Sequence, residues 1–117
     1  MSSEAERMSQ LEILLNEAWR ENRGEVLARV DMLRQMLVAA RAGTLDRTAR
    51  AEGDSMAHKL AGVLGTFGLR EASRAALDIE TMLAAEAELS DGKLEKFEAS
   101  LAVIGDGLVK RDQQASA

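Results

Sequence analysis

Proline is absent from all 117 residues of this chain. Inside a helix, proline deletes a hydrogen bond and clashes with the preceding turn. Without it, the nine glycines are the main residues that punctuate helices here. The rest of the composition agrees. Ala, Leu, Glu, Arg and Met dominate, and all are strong helix formers, whereas Tyr is absent and Ile and Val are few. Hydrophobic residues make up 46% of the chain, enough for one core and against disorder. The expected fold class is all-α.

Cysteine is also absent, which excludes a disulfide framework and a thiolate metal site. Fifteen Lys and Arg against twenty Asp and Glu give a net charge of -5, the wrong sign for a non-specific nucleic-acid binder. No apolar run approaches the roughly 20 residues that span a bilayer. Met1-Ser2-Ser3-Glu4 lacks the basic and apolar blocks of a signal peptide. These features predict a cytoplasmic protein, or a cytoplasmic domain of a longer one, with no membrane insertion and no nucleic-acid partner.

Apolar residues recur at helical spacing throughout. Ser3-Glu4-Ala5-Glu6 has the form of a capping box. Met8, Leu11, Leu15, Ala18 and Trp19 follow it, and Asn22-Arg23-Gly24 is expected to end that short helix, 3–22. Val26, Leu27, Val30, Leu33, Leu37 and Ala40 form a second stripe that stops at Gly43. Thr44 is expected to cap a third helix, with Asp46 in its first turn. Its stripe is Leu45, Ala49, Met56, Leu60, Val63 and Phe67, closed by Gly68. A fourth carries Ala72, Ala75, Ala76, Ile79, Met82 and Leu83. Ser90-Asp91 caps the fifth, whose stripe is Leu94, Phe97, Leu101, Ile104 and Leu108. Short loops force consecutive helices to lie antiparallel. The expected architecture is a single domain over 1–117. It comprises an up-down-up-down four-helix bundle over 25–111, an additional N-terminal helix, and a flexible tail over 112–117.

His58 is the one histidine, and it falls inside the third helix. At about 100° per residue, the large apolar residues of that helix lie opposite it. Asp54, Ser55, Ala61, Gly62 and Gly65 fall on its own side, with Arg47 nearby and Lys59 adjacent in sequence. A lone surface histidine is ordinarily of no consequence. Two glycines beside it alter that reading. Each costs roughly 1 kcal/mol against alanine on an exposed helix face, so helix stability does not explain them. They read as a floor on which another protein approaches the imidazole. Close helix packing at Gly65 is the competing reading. Asp54 either hydrogen-bonds the ring edge or stays solvated. One histidine among scattered carboxylates does not make a metal site. Ser55 lies within reach as a nucleophile partner, yet no oxyanion loop accompanies it. The glycines lie along a helix face rather than at a strand–helix junction, which excludes a phosphate loop. The methionines read as core filler.

The segment Ala57-His58-Lys59-Leu60-Ala61-Gly62-Val63-Leu64-Gly65-Thr66-Phe67-Gly68-Leu69 resembles the signature of histidine-containing phosphotransfer (HPt) domains, the relay modules of two-component signalling. Ile79-Glu80 is similar to the apolar-Glu step that the family carries on its next helix. The resemblance implies a four-helix bundle with an accessory helix. It implies that Nε2 of His58 accepts a phosphoryl group from an aspartyl-phosphate on a response-regulator receiver domain and passes it on. It also implies a phosphocarrier rather than an enzyme, with no ATP site and no cofactor of its own, the Mg²⁺ belonging to the receiver. The implied partners are that receiver and a hybrid sensor histidine kinase. Many members carry Lys or Arg three residues after the histidine, where this chain has Ala61. Lys59, alone or with Arg47, is then the cation left to face a phosphate. Two other readings stand beside this one: an HPt-like bundle that binds a receiver or dimerises without phosphotransfer, and an unrelated helical adaptor in which His58 is incidental.

Overall fold

The computed structural model describes residues 3–116. Met1, Ser2 and Ala117, which the expected domain and tail included, lie outside the described residues. Four helices account for nearly everything: α1 (Glu4–Arg41), α2 (Arg47–Thr66), α3 (Arg70–Ala84) and α4 (Asp91–Ser116), with no strand among the described residues. Each helix packs on its neighbours in chain order, and α4 closes the bundle against α1. The molecule measures 60 × 21 × 20 Å. At 1.5 Å per residue the 38 residues of α1 span about 57 Å, so this one helix sets the length.

The N-terminal capping box is present: Ser3 Oγ accepts from the Glu6 amide, and the Ser3 amide donates to the Glu6 carboxylate. The expected stop at Asn22-Arg23-Gly24 is not there. α1 runs through all three residues, so the expected short helix and the first bundle helix are one, and no separate N-terminal helix is present among the described residues. Glycine ends a helix when the chain turns left-handed at it. Gly24 keeps a negative φ, and among the described residues only Gly43 and Gly68 adopt the left-handed conformation. Contacts on both sides of Gly24 hold the helix straight through it. Trp19 and Val26 are both buried, and Arg23 Nε bonds the Asp112 carboxylate at 2.9 Å.

The tail expected to fray is helical as far as Ser116. Asp112 explains this, because its Oδ1 accepts from both Trp19 Nε1 at 2.8 Å and Arg23 Nε. One turn on, Ala115 is buried and its carbonyl accepts from the Arg20 guanidinium. The α2 cap also differs from expectation. Asp46, not Thr44, accepts from the Ala49 amide, while Thr44 turns back to the Ala39 carbonyl. Ser90 caps α4 through the Lys93 amide.

The inward faces of α3 and α4 are the ones the periodicity marks, from Ala72 to Leu83 and from Leu94 to Leu108. On α2 the core face is different. Its buried residues are Gly53, Ala57, Leu60, Ala61 and Leu64, while Val63 and Phe67 are only partly covered. Relative to the expected stripe, the helix is rotated by roughly 75°. The cause is size: small residues sit where helices approach closely. A Cβ on Gly53 would stand 2.4 Å from Met36 Sδ and 2.9 Å from Leu83 Cδ1. At the other end of the seam, the Ser73 hydroxyl donates to the Ala61 carbonyl at 2.8 Å. The Arg50 guanidinium, near the start of α2, donates to the carbonyls of Met82, Leu83, Ala85 and Ala87. These contacts tie the start of α2 to the end of α3, and the end of α2 to the start of α3.

Asp112 carries a pH prediction. The Arg23 guanidinium beside it, helped by the Trp19 N–H, holds its carboxyl below the ordinary value of 3.8, against the opposing effect of partial burial. A carboxyl depressed on folding contributes stability that is fully present above its ordinary value and is lost as pH falls through the folded one. Thermal stability of the wild type should therefore decline below pH 3.8. In Asp112→Asn, melting curves recorded from pH 6 downwards should lose part of that decline and start from a lower melting temperature. An unchanged acid limb in the variant would contradict this account of the α1–α4 contact.

Candidate functional site

His58 stands on the exposed side of α2, and its side chain is 71% exposed. It does not stand alone. Nδ1 lies 2.9 Å from Oε1 of Glu80 on α3. An ionised carboxylate only accepts hydrogen bonds, so Nδ1 is the nitrogen that carries the proton. The neutral ring then has its lone pair on Nε2, which no group bonds among the described residues. Glu80 is itself three-quarters covered, so the carboxylate that holds the ring is fixed by packing. The arrangement orients an imidazole, defines its tautomer and presents one nucleophilic nitrogen to solvent.

The α2–α3 seam makes this geometry possible. The rotation of α2 places His58 at the edge of the interface rather than opposite it. Ile79 fills the core, while Glu80 beside it emerges at the seam.

Each residue singled out from the sequence has a definite place. Lys59 is exposed and makes no ion pair among the described residues. Ser55 is exposed and makes no hydrogen bond to the ring, which leaves it without the base a nucleophile needs. Asp54 is half-buried and lines a groove with Arg47, Arg50 and Leu83. Of the two carboxylates near the ring, Glu80 and not Asp54 bonds it. Ala61 departs from the expected site face. Its side chain is 4% exposed, inside the α2–α3 seam, so it offers nothing to a docking partner. The small residue fits there because it is core. No group of three or more His, Asp or Glu is placed to hold a metal among the described residues.

Glu80 is the site residue that helical periodicity alone does not reveal. It lies on another helix, and its sequence signal is the Ile79-Glu80 step: an apolar residue that fixes the helix face, then a carboxylate that falls at its border.

Gly62 and Gly65 are exposed, one and two turns beyond His58. A Cβ on Gly62 would meet nothing within 4 Å, and one on Gly65 would meet only Ser73 Oγ at an ordinary 3.5 Å. Close helix packing therefore requires neither glycine. They leave an open strip of backbone beside the imidazole. Gly53 is the opposite case, a buried glycine whose neighbours exclude a side chain.

Gly62→Ala should raise thermal stability, by up to about 1 kcal/mol. Gly53→Val should lower it by about 1–3 kcal/mol, because Met36 and Leu83 would have to give way. Denaturant melts of the two variants decide the matter. Loss of stability in Gly62→Ala would mean that the strip serves packing after all. No protein-family model matches this chain, and no curated protein or solved structure is significantly similar to it, so the site is read from its own geometry.

Proposed function

We propose that this chain is a phosphocarrier of a His–Asp relay, an HPt-like module in which His58 takes a phosphoryl group from the aspartyl-phosphate of a receiver domain. The single observation that carries the reading is the His58–Glu80 pair. It holds a histidine rigidly at one nitrogen and leaves the other free on an open, glycine-floored face.

The chemistry follows from that pair. The Nε2 lone pair attacks phosphorus, the bond to the aspartyl oxygen breaks, and the receiver's carboxylate leaves with the bonding electrons. The product is an imidazole phosphorylated at Nε2 and still protonated at Nδ1. It carries positive charge on the ring, facing Glu80. No proton has to depart during the transfer, and return of the phosphoryl group to a second aspartate is the same path reversed. Such a transfer needs alignment and neutralisation of the equatorial oxygens more than covalent help. Mg²⁺ and the principal cation come from the receiver, and Lys59 adds one exposed positive charge. The chain is then consumed and regenerated rather than turning over as an enzyme, and it has no cofactor of its own. On this reading the helices follow the family's up-down-up-down order, the projecting start of α1 occupies the place of its accessory helix, and the protein works in the cytoplasm between a receiver and a hybrid sensor kinase.

Incubation with phosphorylated receiver domains and Mg²⁺ tests the proposal. Label should move onto this chain and be released by brief acid, as a phosphoramidate is. His58→Gln should fold normally and accept nothing. Glu80→Gln keeps an acceptor for Nδ1 but removes the charge opposite the cationic product, so transfer should slow by roughly five- to tenfold. Acid-stable label, or full labelling of His58→Gln, would overturn the assignment and leave the bundle as a binding module.

A further inference from the structure

Residues 4–15 of α1 run past the end of the bundle. The outermost hydrogen bonds between α1 and α4 are at Asn16, Trp19 and Arg20. Phe67, just beyond the end of α2, closes the bundle edge-on against Trp19, with ring centroids 5.2 Å apart. The overhang is about 18 Å long. Met8, Leu11, Leu14 and Leu15 are 56%, 54%, 60% and 42% exposed. Met8, Leu11 and Leu15 keep the three-and-four spacing of a packed face. That stripe prolongs, within roughly 50°, the face that carries Trp19 and Val26 inside the bundle. A core face is thus carried into open space beside the bundle's end.

That end holds a second unmatched feature. Arg111 is 5% exposed, yet its guanidinium bonds only neutral acceptors, Asn16 Oδ1 at 2.8 Å and Gln114 Oε1 at 3.5 Å. It also lies 5.9 Å from the ring centres of Trp19 and Phe67. It lines an open cavity of about 400 Å³ with Glu12, Leu15, Asn16, Phe67 and Gln114. The neighbouring Asp112 carboxylate acts on it through space and Glu12 lines the same cavity, yet among the described residues no carboxylate bonds the guanidinium directly.

We propose that a second copy of this chain fills the step, with the two overhangs antiparallel about a two-fold axis. Three observations select this occupant. The step is as long as the overhang that would fill it, so one contact satisfies both copies, as a two-fold interface requires. Parallel pairing is excluded, because each bundle lies on the same side as its own apolar stripe and the two would collide. Full antiparallel overlap also sets a register. Met8 of each copy lies beside Leu11 of the other, and Glu4 of the second copy lies beside Leu15, at the rim of the Arg111 cavity. Glu4 belongs to the acidic first turn and makes no ion pair within its own chain among the described residues. It brings a carboxylate that can bond the Arg111 guanidinium directly, which neither Glu12 nor Asp112 does. His58 is nine residues before Phe67, about 13 Å up the bundle, and stays open in the dimer.

The interface is one short helix face per copy, small beside a standard one, so the dimer should form on the order of 10 µM. Sedimentation of the full chain across that range should show a monomer–dimer equilibrium. Leu11→Glu should weaken it at least about tenfold with an unchanged circular-dichroism spectrum. Glu4→Lys should weaken it too, through Arg111, while His58→Gln should dimerise like the wild type. A chain still monomeric at about 500 µM, or a dimer indifferent to Leu11→Glu, overturns the proposal. Loss of dimer in Leu11→Glu but not in Glu4→Lys overturns the seating on Arg111.

Discussion

The close seam between α2 and α3 governs the candidate site. Gly53, Ala57 and Ala61 turn inward on α2, and their small size lets the helices approach. Arg50 locks one end of the seam by donating to carbonyls at the end of α3, and Ser73 locks the other through the Ala61 carbonyl. Between these two ties, Glu80 comes within 2.9 Å of His58. A bulky side chain at 53, 57 or 61 would widen the seam and take the carboxylate from the ring. The site therefore depends on residues that never touch it, as preorganised sites commonly do.

A different knot holds the far end. Trp19 is 1% exposed, donates to Asp112 and meets Phe67 edge-on. It thereby joins α1, α4 and the α2–α3 turn at one level. The same knot carries α1 through Gly24 and keeps α4 helical to its end. A single interior glycine costs roughly 1 kcal/mol, and one buried indole with its hydrogen bond exceeds that. Local propensity thus yields to tertiary packing on both sides of the knot.

What was legible in the sequence follows this division. Helices whose inward residues are large read correctly: Ile79, Met82 and Leu83 on α3, and Phe97, Leu101 and Ile104 on α4. α2 read with an angular error, because Met56 and Val63 weigh more in a periodicity than Gly53 or Ala57, although the small residues mark the tighter contact. The exposure of His58 and of the two glycines survives that error, since a rotation of roughly 75° still leaves them outside. Ala61 does not survive it, being at the margin of the strip. Trp19 and Asp112 are 93 residues apart, so no local pattern announces their bond or the helical tail that depends on it.

The exposure of His58 itself limits what this chain can contribute to the proposed transfer. A ring that is 71% exposed sits in high dielectric, where a neighbouring charge acts weakly. Glu80 can orient the ring and face its positive charge, but as an anion it cannot neutralise a phosphoryl group in flight. Lys59 is a single solvated cation, and the seam claims position 61 for packing. Most of the charge compensation must then arrive with the partner, and its docking must take the exposed Nε2 out of solvent. A bare glycine strip suits that task better than a basic pocket would. It allows a second surface to close over the imidazole, and only then does the low-dielectric environment form in which the partner's own cations act at full strength. In this arrangement the rate belongs to the complex, and discrimination among receivers would reside in how well each one covers Gly62 and Gly65.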